Sequence, residues 1–143
     1  MVSLRFGSVL VVMTVFVALS AHAQSSWCRY KERRLQEIVE QHVEHMQGSD
    51  GPSFTADRFP SRVRVIYTGK RRPIPTARRD FIKSYFTQFV RQPQYAELFD
   101  DELLFLEGTV QHWLPVQREL VPKLMAEASA GGFVELFAVW LGA

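Results

Sequence analysis

Residues 62–90 read RVRVIYTGKRRPIPTARRDFIKSYFTQFV, and this stretch holds most of the features that decide the fold. Its first part, residues 62–68, alternates apolar and polar side chains, which predicts a strand with one face toward a core. Residues 69–75 contain a glycine, three consecutive cations and two prolines, and we interpret them as a stiff basic loop. Residues 76–90 repeat apolar side chains at spacings of three and four, which predicts an amphipathic helix.

The start of this predicted helix is unusually basic. Thr76 is the predicted N-cap, because its hydroxyl can accept a hydrogen bond from a free backbone N–H of the first turn. Two arginines follow in that turn, where the helix dipole favours acidic side chains instead, and a bound anion would offset the repulsion. The predicted anion-binding residues are Lys70, Arg71, Arg72, Arg78 and Arg79. The alternative interpretation is that these side chains are solvated or pair with acids elsewhere in the fold.

The first 23 residues have the three parts of a secretory signal segment. Arg5 and the amino terminus give a positive start, and residues 9–20 form an apolar run. Residues 21–23, Ala-His-Ala, match a cleavage site, so we expect the mature protein to begin at Gln24. The run is short for a membrane span, which needs about 20 residues, and an uncleaved anchor is the alternative. We therefore predict an exported protein, periplasmic or extracellular, with no transmembrane segment after cleavage.

Residues 24–143 are long enough for one domain with a hydrophobic core and too short for two. Their charges are unevenly distributed. Residues 58–91 carry ten basic residues and one acidic residue, whereas residues 92–143 carry two basic and eight acidic ones. This polarity indicates either pairing between two parts of the fold or attraction of an anionic partner, such as an envelope component or an acidic protein. Export and a net charge of only +2 argue against a nucleic-acid partner.

The rest of the chain supplies further helices and strands. The predicted segments are a helix over 29–47, a loop over 49–60, a helical turn over 95–99, one bent strand or two short strands over 102–117, a helix over 116–129 and a strand over 133–141. Gly108 is a natural turn or bulge, and Pro122 indicates that its helix begins nearer Glu119. The last strand is apolar on both faces, which predicts a central position in the sheet.

This order of elements favours a small single α+β domain with a mostly antiparallel sheet packed by about three helices, following a cleaved signal peptide. Two arrangements fit the order. One is a cone of strands around a long helix, as in cystatin-like or NTF2-like folds. The other is a small barrel built from residues 102–143, with the first half of the domain wrapped around it.

The sequence favours a non-catalytic binding module, with a small hydrolase as the alternative. His112 is the candidate catalytic residue of such a hydrolase, with Glu107 or Asp101 as the carboxylate partner. The chain lacks the G-x-S-x-G motif, the H-E-x-x-H motif and a phosphate-binding glycine loop. Its one cysteine, Cys28, is the fifth residue of the predicted mature chain, and a catalytic thiol there would need a positioned base.

A metal site is not predicted. His42 and His45 lie about one turn apart in a predicted helix and could share a metal ion. The spacing is not that of a known zinc motif, and no third ligand with matching spacing is present in the sequence. We therefore predict neither a metal nor another cofactor.

Overall fold

The computed structural model describes residues 9–15, 31–46, 54 and 61–142 of the 143-residue chain, with side chains over 31–42, 54 and 61–142. The strands in these ranges are β1 (Val9–Val15), β2 (Ser61–Pro73), β3 (Phe99–Glu107), β4 (Val110–Gln117) and β5 (Phe133–Gly142). The α-helices are α1 (Leu35–Met46), α2 (Thr76–Ser84) and α3 (Leu120–Glu127). A π-helical turn, Tyr85–Phe89, continues α2, and a 3-10 helix, Pro93–Leu98, leads into β3.

The strands form a curled sheet. β4, β3, β2 and β5 pair in that order, and each of these pairings is antiparallel. β1 lies between β4 and β5, parallel to the first and antiparallel to the second, and closes the sheet into a barrel. The predicted small α+β domain, with an antiparallel sheet and about three helices, is confirmed. The predicted barrel built from residues 102–143 alone is wrong, because β2 pairs with both β3 and β5.

The first half of β2 matches the predicted strand, and its second half replaces the predicted loop. The three residues predicted to face the core are buried in the barrel: Val63, Val65 and Tyr67. Gly69 has a φ of +80°, and the register between β2 and β3 shifts between Tyr67 and Arg71. The prediction of a stiff basic loop over residues 69–75 is wrong, because pairing with β3 resumes after this irregularity and extends the strand.

The barrel interior is the main hydrophobic core. Strands β2 to β5 line it with alternate side chains, and two helices pack against it. The buried residues that the helices supply are Leu35 and Ile38 from α1 and Leu120, Val121 and Leu124 from α3. His42 of α1 stacks on Trp140 of β5, with the ring centroids 5.0 Å apart. The side of α1 that carries Leu35, Ile38 and His42 therefore faces the core.

Both α1 and α3 begin later than the apolar periodicity alone predicts. α1 begins at Leu35 and not at residue 29, because residues 31–33 run beside the start of β2. Arg62 N donates to Lys31 O, and Arg33 N donates to Arg62 O, each over 3.0 Å. α3 begins directly after Glu119, the later start that the proline in its sequence indicates. Residues 116 and 117, which the longer predicted helix includes, belong to β4 instead.

α2 and its π-helical continuation cover the outer face of the sheet. Their buried side chains form a second core with β3 and β5, whose members are Ile74, Ile82, Tyr85, Phe86, Phe99, Val139 and Leu141. This confirms the predicted apolar face of the helix, although Phe89 remains 45% exposed. The prediction that Thr76 is the N-cap is wrong. Pro75 holds that position, and no side chain caps the helix start.

The π-helical segment ends at a residue with a left-handed backbone. Arg91 has a φ of +60°, and Gln92 N closes the helix end by donating to Phe86 O over 2.8 Å. A side chain in this conformation costs about 1–2 kcal/mol, and glycine avoids the cost. We therefore expect Arg91→Gly to raise the free energy of unfolding by about 1 kcal/mol in chemical denaturation. Thr87→Gly, inside the helix, should lower it by about 0.3–0.5 kcal/mol. A destabilised Arg91→Gly variant would contradict the expected relief of backbone strain.

Part of the predicted signal segment is folded, since Val9–Val15 forms β1. Cleavage after Ala23 stays a prediction, because residues 16–30, including Cys28, lie outside the described ranges. The predicted loop over 49–60 also lies outside them, apart from Phe54, which forms a β-bridge with Gly142.

The turn between β3 and β4 contains Gly108, whose φ is +60°. This confirms the prediction of a turn or bulge at this glycine.

Candidate functional site

Three of the five predicted anion-binding residues are paired with acids of β3. Arg71 Nη2 lies 3.1 Å from Asp101 Oδ2, and Arg72 Nε lies 2.5 Å from Glu102 Oε1. Arg78, in the first turn of α2, binds the second oxygen of Glu102. The alternative interpretation of the basic stretch, pairing with acids within the fold, therefore describes these three arginines.

Glu102 is fully buried where α2 crosses the outer face of the sheet. Its two carboxylate oxygens bind different arginines, Arg72 and Arg78. Arg78 Nη1 also donates to Trp113 O over 3.1 Å, and the guanidinium carbon of Arg72 lies 4.0 Å from the centroid of the Trp113 ring. A buried carboxylate is tolerated only when it is paired and hydrogen-bonded, and these contacts meet that requirement. They also explain one of the two arginines in the first turn of α2, Arg78, because it faces a buried acid.

The other two predicted anion-binding residues lie in more open surroundings. Lys70 and Arg79 are both exposed, and neither lies within ion-pair distance of a carboxylate among the described residues. Arg79 Nη2 makes one long hydrogen bond of 3.4 Å to Asp100 O. It lines an open pocket of about 630 Å³ between α2, the 3-10 helix and the start of β3. The residues that line this pocket are Arg79, Lys83, Pro93, Gln94, Ala96, Glu97, Phe99, Asp100 and Arg118.

The charges in this pocket leave two cations without a tight partner. Arg118 binds both carboxylate oxygens of Asp100, and its Nη2 also donates to Glu97 O over 2.7 Å. This hydrogen-bonded pair lowers the pKa of Asp100 and raises the pKa of Arg118. The two groups therefore stay charged and largely cancel each other. Arg79 and Lys83, about one turn apart on α2, supply the remaining positive charge, and Lys83 has no ion-pair partner in the described part of the chain.

Lys83 and Arg118 were not among the predicted site residues. Lys83 could have been found, because it follows Arg79 by four residues and so lies on the same face of the predicted helix. Arg118 could not, because it follows β4 and reaches the pocket only through the fold, where its backbone N–H donates to Leu98 O over 2.7 Å.

The structure brings only two of the three candidate hydrolase residues near each other, His112 and Glu107. His112 lies on β4, and its buried Nε2 atom has no hydrogen-bond partner among the described residues. The carboxylate of Glu107 caps α1, accepting from Leu35 N over 2.7 Å and from Gln36 N over 3.0 Å. Asp101 lies near the opposite end of β3, paired with Arg71. His112 and Glu107 are close enough to interact electrostatically, but Asp101 does not join them.

Burial of His112 has a consequence for stability at mildly acidic pH. Burial lowers the pKa of His112, and the nearby Glu107 carboxylate opposes the shift only partly. The unfolded chain, with a histidine pKa of about 6.5, therefore takes up a proton at a higher pH than the folded protein does. The resulting stability is complete above that pKa and is lost as the pH falls from it through the lower pKa of His112 in the folded protein.

We therefore expect the melting temperature to fall between pH 7.5 and pH 5.5, and to fall less in His112→Gln. Thermal unfolding of both proteins at the two pH values measures the difference. His42 and His45 are unchanged in the variant and serve as an internal control. An identical fall in the two proteins would show that His112 does not titrate as the structure implies.

Two further observations concern the described residues only. They contain no group of three or more His, Cys, Asp or Glu side chains placed to hold a metal ion. His45, the other histidine considered for a metal site, lies where side chains are not described, so the absence of a metal stays a prediction. No helix in the described part of the chain is long and apolar enough to cross a membrane.

The chain was compared with family models, with curated proteins and with solved structures, and it matches none of them.

Proposed function

We propose that this protein is an exported, non-catalytic binding module that holds an anionic group of an envelope component in the pocket beside α2. The observation that carries the proposal is that two cations, Arg79 and Lys83, line this pocket and that neither lies within ion-pair distance of a carboxylate among the described residues. The proposal moves the predicted anion site away from Arg71, Arg72 and Arg78, whose charges are engaged by Asp101 and Glu102.

The chemistry of the pocket supports an oxyanion such as a phosphate group. A guanidinium and an ammonium about one helical turn apart can bind different oxygens of one phosphate, and charge-assisted hydrogen bonds are the stronger kind. Glu97 and the Asp100–Arg118 pair line the opposite side and limit the excess positive charge. Binding should therefore be moderate in strength and sensitive to salt, because the pocket is open to solvent.

Binding to lipid vesicles tests the proposal. Each basic side chain near an anionic membrane surface contributes about 1 kcal/mol, so Arg79→Ala with Lys83→Ala should weaken binding to phosphatidylglycerol vesicles by about tenfold or more. The wild-type protein and the Arg79→Ala, Lys83→Ala variant should both bind weakly to phosphatidylcholine vesicles, which carry no net charge. A matched control is Lys70→Ala with Lys123→Ala, which removes two exposed cations outside the pocket. Equal weakening by the two double variants would mean that only total charge matters, and the pocket would lose its assignment.

A triple variant separates the pocket from the cations originally predicted on residues 70–72. Lys70→Ala, Arg71→Ala and Arg72→Ala should lower stability, because two of these residues pair with acids of β3. The same variant should keep most of its binding to phosphatidylglycerol vesicles. Thermal unfolding and a salt series of vesicle binding measure the two effects. Lost binding with unchanged stability would return the anion site to β2.

Export and cleavage are part of the proposal, supported by the sequence of residues 1–23. The intact mass of the secreted protein should correspond to a chain that begins at Gln24. A mass that retains residues 1–23 would indicate an uncleaved segment. The hydrolase alternative stays an untested prediction, and the engagement of Glu107 as a helix cap gives it less support.

A further inference from the structure

β1 occupies a seam between β4 and β5, which are not neighbours in the described sheet. Six residues of β1 pair with β5, whereas only Val12 pairs with β4, opposite Val116. β4 carries Pro115 beside this position, and proline has no backbone N–H to donate to a ladder. β5 is therefore the strand that holds the occupant of the seam through backbone hydrogen bonds.

β1 fits this seam imperfectly. Its register with β5 shifts between Val9 and Leu10, and again between Val12 and Thr14. Each shift interrupts the ladder and leaves a residue unpaired. A segment in regular antiparallel register along residues 136–142 of β5 would pair at every position. The seam can therefore accept a strand in regular register as well as β1.

The side chains of β5 define the chemistry of that strand. Leu136, Ala138 and Trp140 belong to the core inside the barrel, and Val139 and Leu141 belong to the cluster under α2. A strand beside β5 lies level with these residues and is flanked by apolar groups on both faces. A charged side chain there would be buried without a partner, so the occupant must be apolar on both faces. The sequence of β1, VLVVMTV, has this composition.

We propose that the seam is a strand-acceptor site in the processed protein, and that its ligand is an extended, uncharged segment of a partner protein rich in β-branched residues. The proposal rests on the processing part of the proposed function, because cleavage after Ala23 removes β1 and exposes the edge of β5. The unpaired N–H and C=O groups of an apolar edge recruit another strand. The partner segment enters antiparallel to β5 and parallel to β4, as β1 does.

The test uses a synthetic peptide of Val9–Val15 with flanking lysines for solubility. The processed protein, purified after export, should bind the labelled peptide, whereas full chain 1–143, produced without export, should not, because β1 fills its seam. At a peptide concentration ten times the Kd, amide exchange at Val139 and Trp140, which pair with β1 and not with β2, should slow by about tenfold. A matched peptide with Val12→Pro lacks the N–H at the position that contacts both neighbouring strands, and should bind at least about tenfold more weakly.

Three other outcomes of these experiments would also support or overturn the strand-acceptor site. Equal binding of the two peptides would overturn it, since backbone pairing would not be what holds the ligand. A processed protein that is a stable dimer with Val139 and Trp140 already protected would overturn it in favour of a second copy of the chain. If the processed protein is unfolded alone, folding on addition of the peptide supports the site, and failure to fold overturns it.

The strand-acceptor site and the anion pocket fail separately. A secreted protein whose mass retains residues 1–23 would overturn the strand-acceptor site, because β1 would remain in the seam. Vesicle binding through Arg79 and Lys83 would be unaffected by that result. If the Arg79→Ala, Lys83→Ala variant and its control bind vesicles equally, the anion pocket is overturned, and that result would not affect peptide binding by β5.

Discussion

Phe86→Ala is expected to lower the free energy of unfolding by about 3–5 kcal/mol, a large part of the roughly 5–15 kcal/mol available to a single domain. Phe86 is 5% exposed at the centre of the cluster between α2 and the sheet. Its ring stacks on Phe99 at 6.1 Å between centroids and meets Tyr85 edge-on at 5.2 Å. Truncation leaves a cavity between helix and sheet that these rings can fill only in part.

Two control variants isolate this effect. Phe89→Ala removes the same side chain from the same π-helical segment, but Phe89 is 45% exposed, so the loss should be clearly smaller. Lys83→Ala, on an exposed position of α2, should barely change stability. Chemical denaturation of the three variants measures the ranking. Equal losses of unfolding free energy for Phe86→Ala and Phe89→Ala would mean that burial in the second core does not determine how strongly α2 packs on the sheet.

The second large effect is expected at Glu102. Glu102→Ala removes the carboxylate shared by Arg72 and Arg78, and the side chain of Arg78 is only 20% exposed. Removing one partner from a buried ion pair costs about 3–5 kcal/mol, because the remaining charge stays desolvated. Asp101→Ala, one residue away, breaks the more exposed pair with Arg71 and should cost only about 0–1 kcal/mol.

A rescue experiment identifies the cause of the loss. If the unpaired arginines destabilise Glu102→Ala, then replacing Arg72 and Arg78 by methionine in a Glu102→Leu background should recover most of the stability. Glu102→Gln keeps the shape of the side chain without its charge and should lie between wild type and Glu102→Ala. Chemical denaturation measures all of these variants. Similar stability of Glu102→Ala and Asp101→Ala would show that the buried carboxylate of Glu102 does not stabilise the fold through Arg72 and Arg78.

Local sequence patterns predicted the elements that depend on local chemistry. The alternation of Val63, Val65 and Tyr67 predicted the buried face of β2, and the spacing around Phe86 predicted the face that α2 and its π-helical continuation turn to the sheet. Both patterns come from the geometry of one element, with a period near two residues in a strand and 3.6 residues in a helix. Gly108 and Pro122 likewise marked a turn and a helix start, because their backbone preferences need no distant partner.

The extension of β2 beyond Gly69 did not follow from its sequence. Glycine, cations and prolines in residues 69–75 are typical of a loop, yet this part of the chain pairs with β3 as far as Pro73. The hydrogen bonds that extend the strand come from residues about 30 positions later in the chain, so no local pattern could reveal them. The same holds for the late start of α1, which depends on pairing between residues 31–33 and Arg62.

The sequence by itself determined that the chain forms a small α+β domain with a strongly basic middle segment and an acidic segment over residues 92–143, because composition and periodicity are properties of the chain alone. Only the tertiary structure decided which charges meet. It placed Glu102 between two arginines and left Arg79 and Lys83 at an open pocket. Charged side chains gain or lose most of their energy from solvent exclusion and from partners a few ångströms away. Both are set by how the strands and helices pack, and neither can be read from the order of residues.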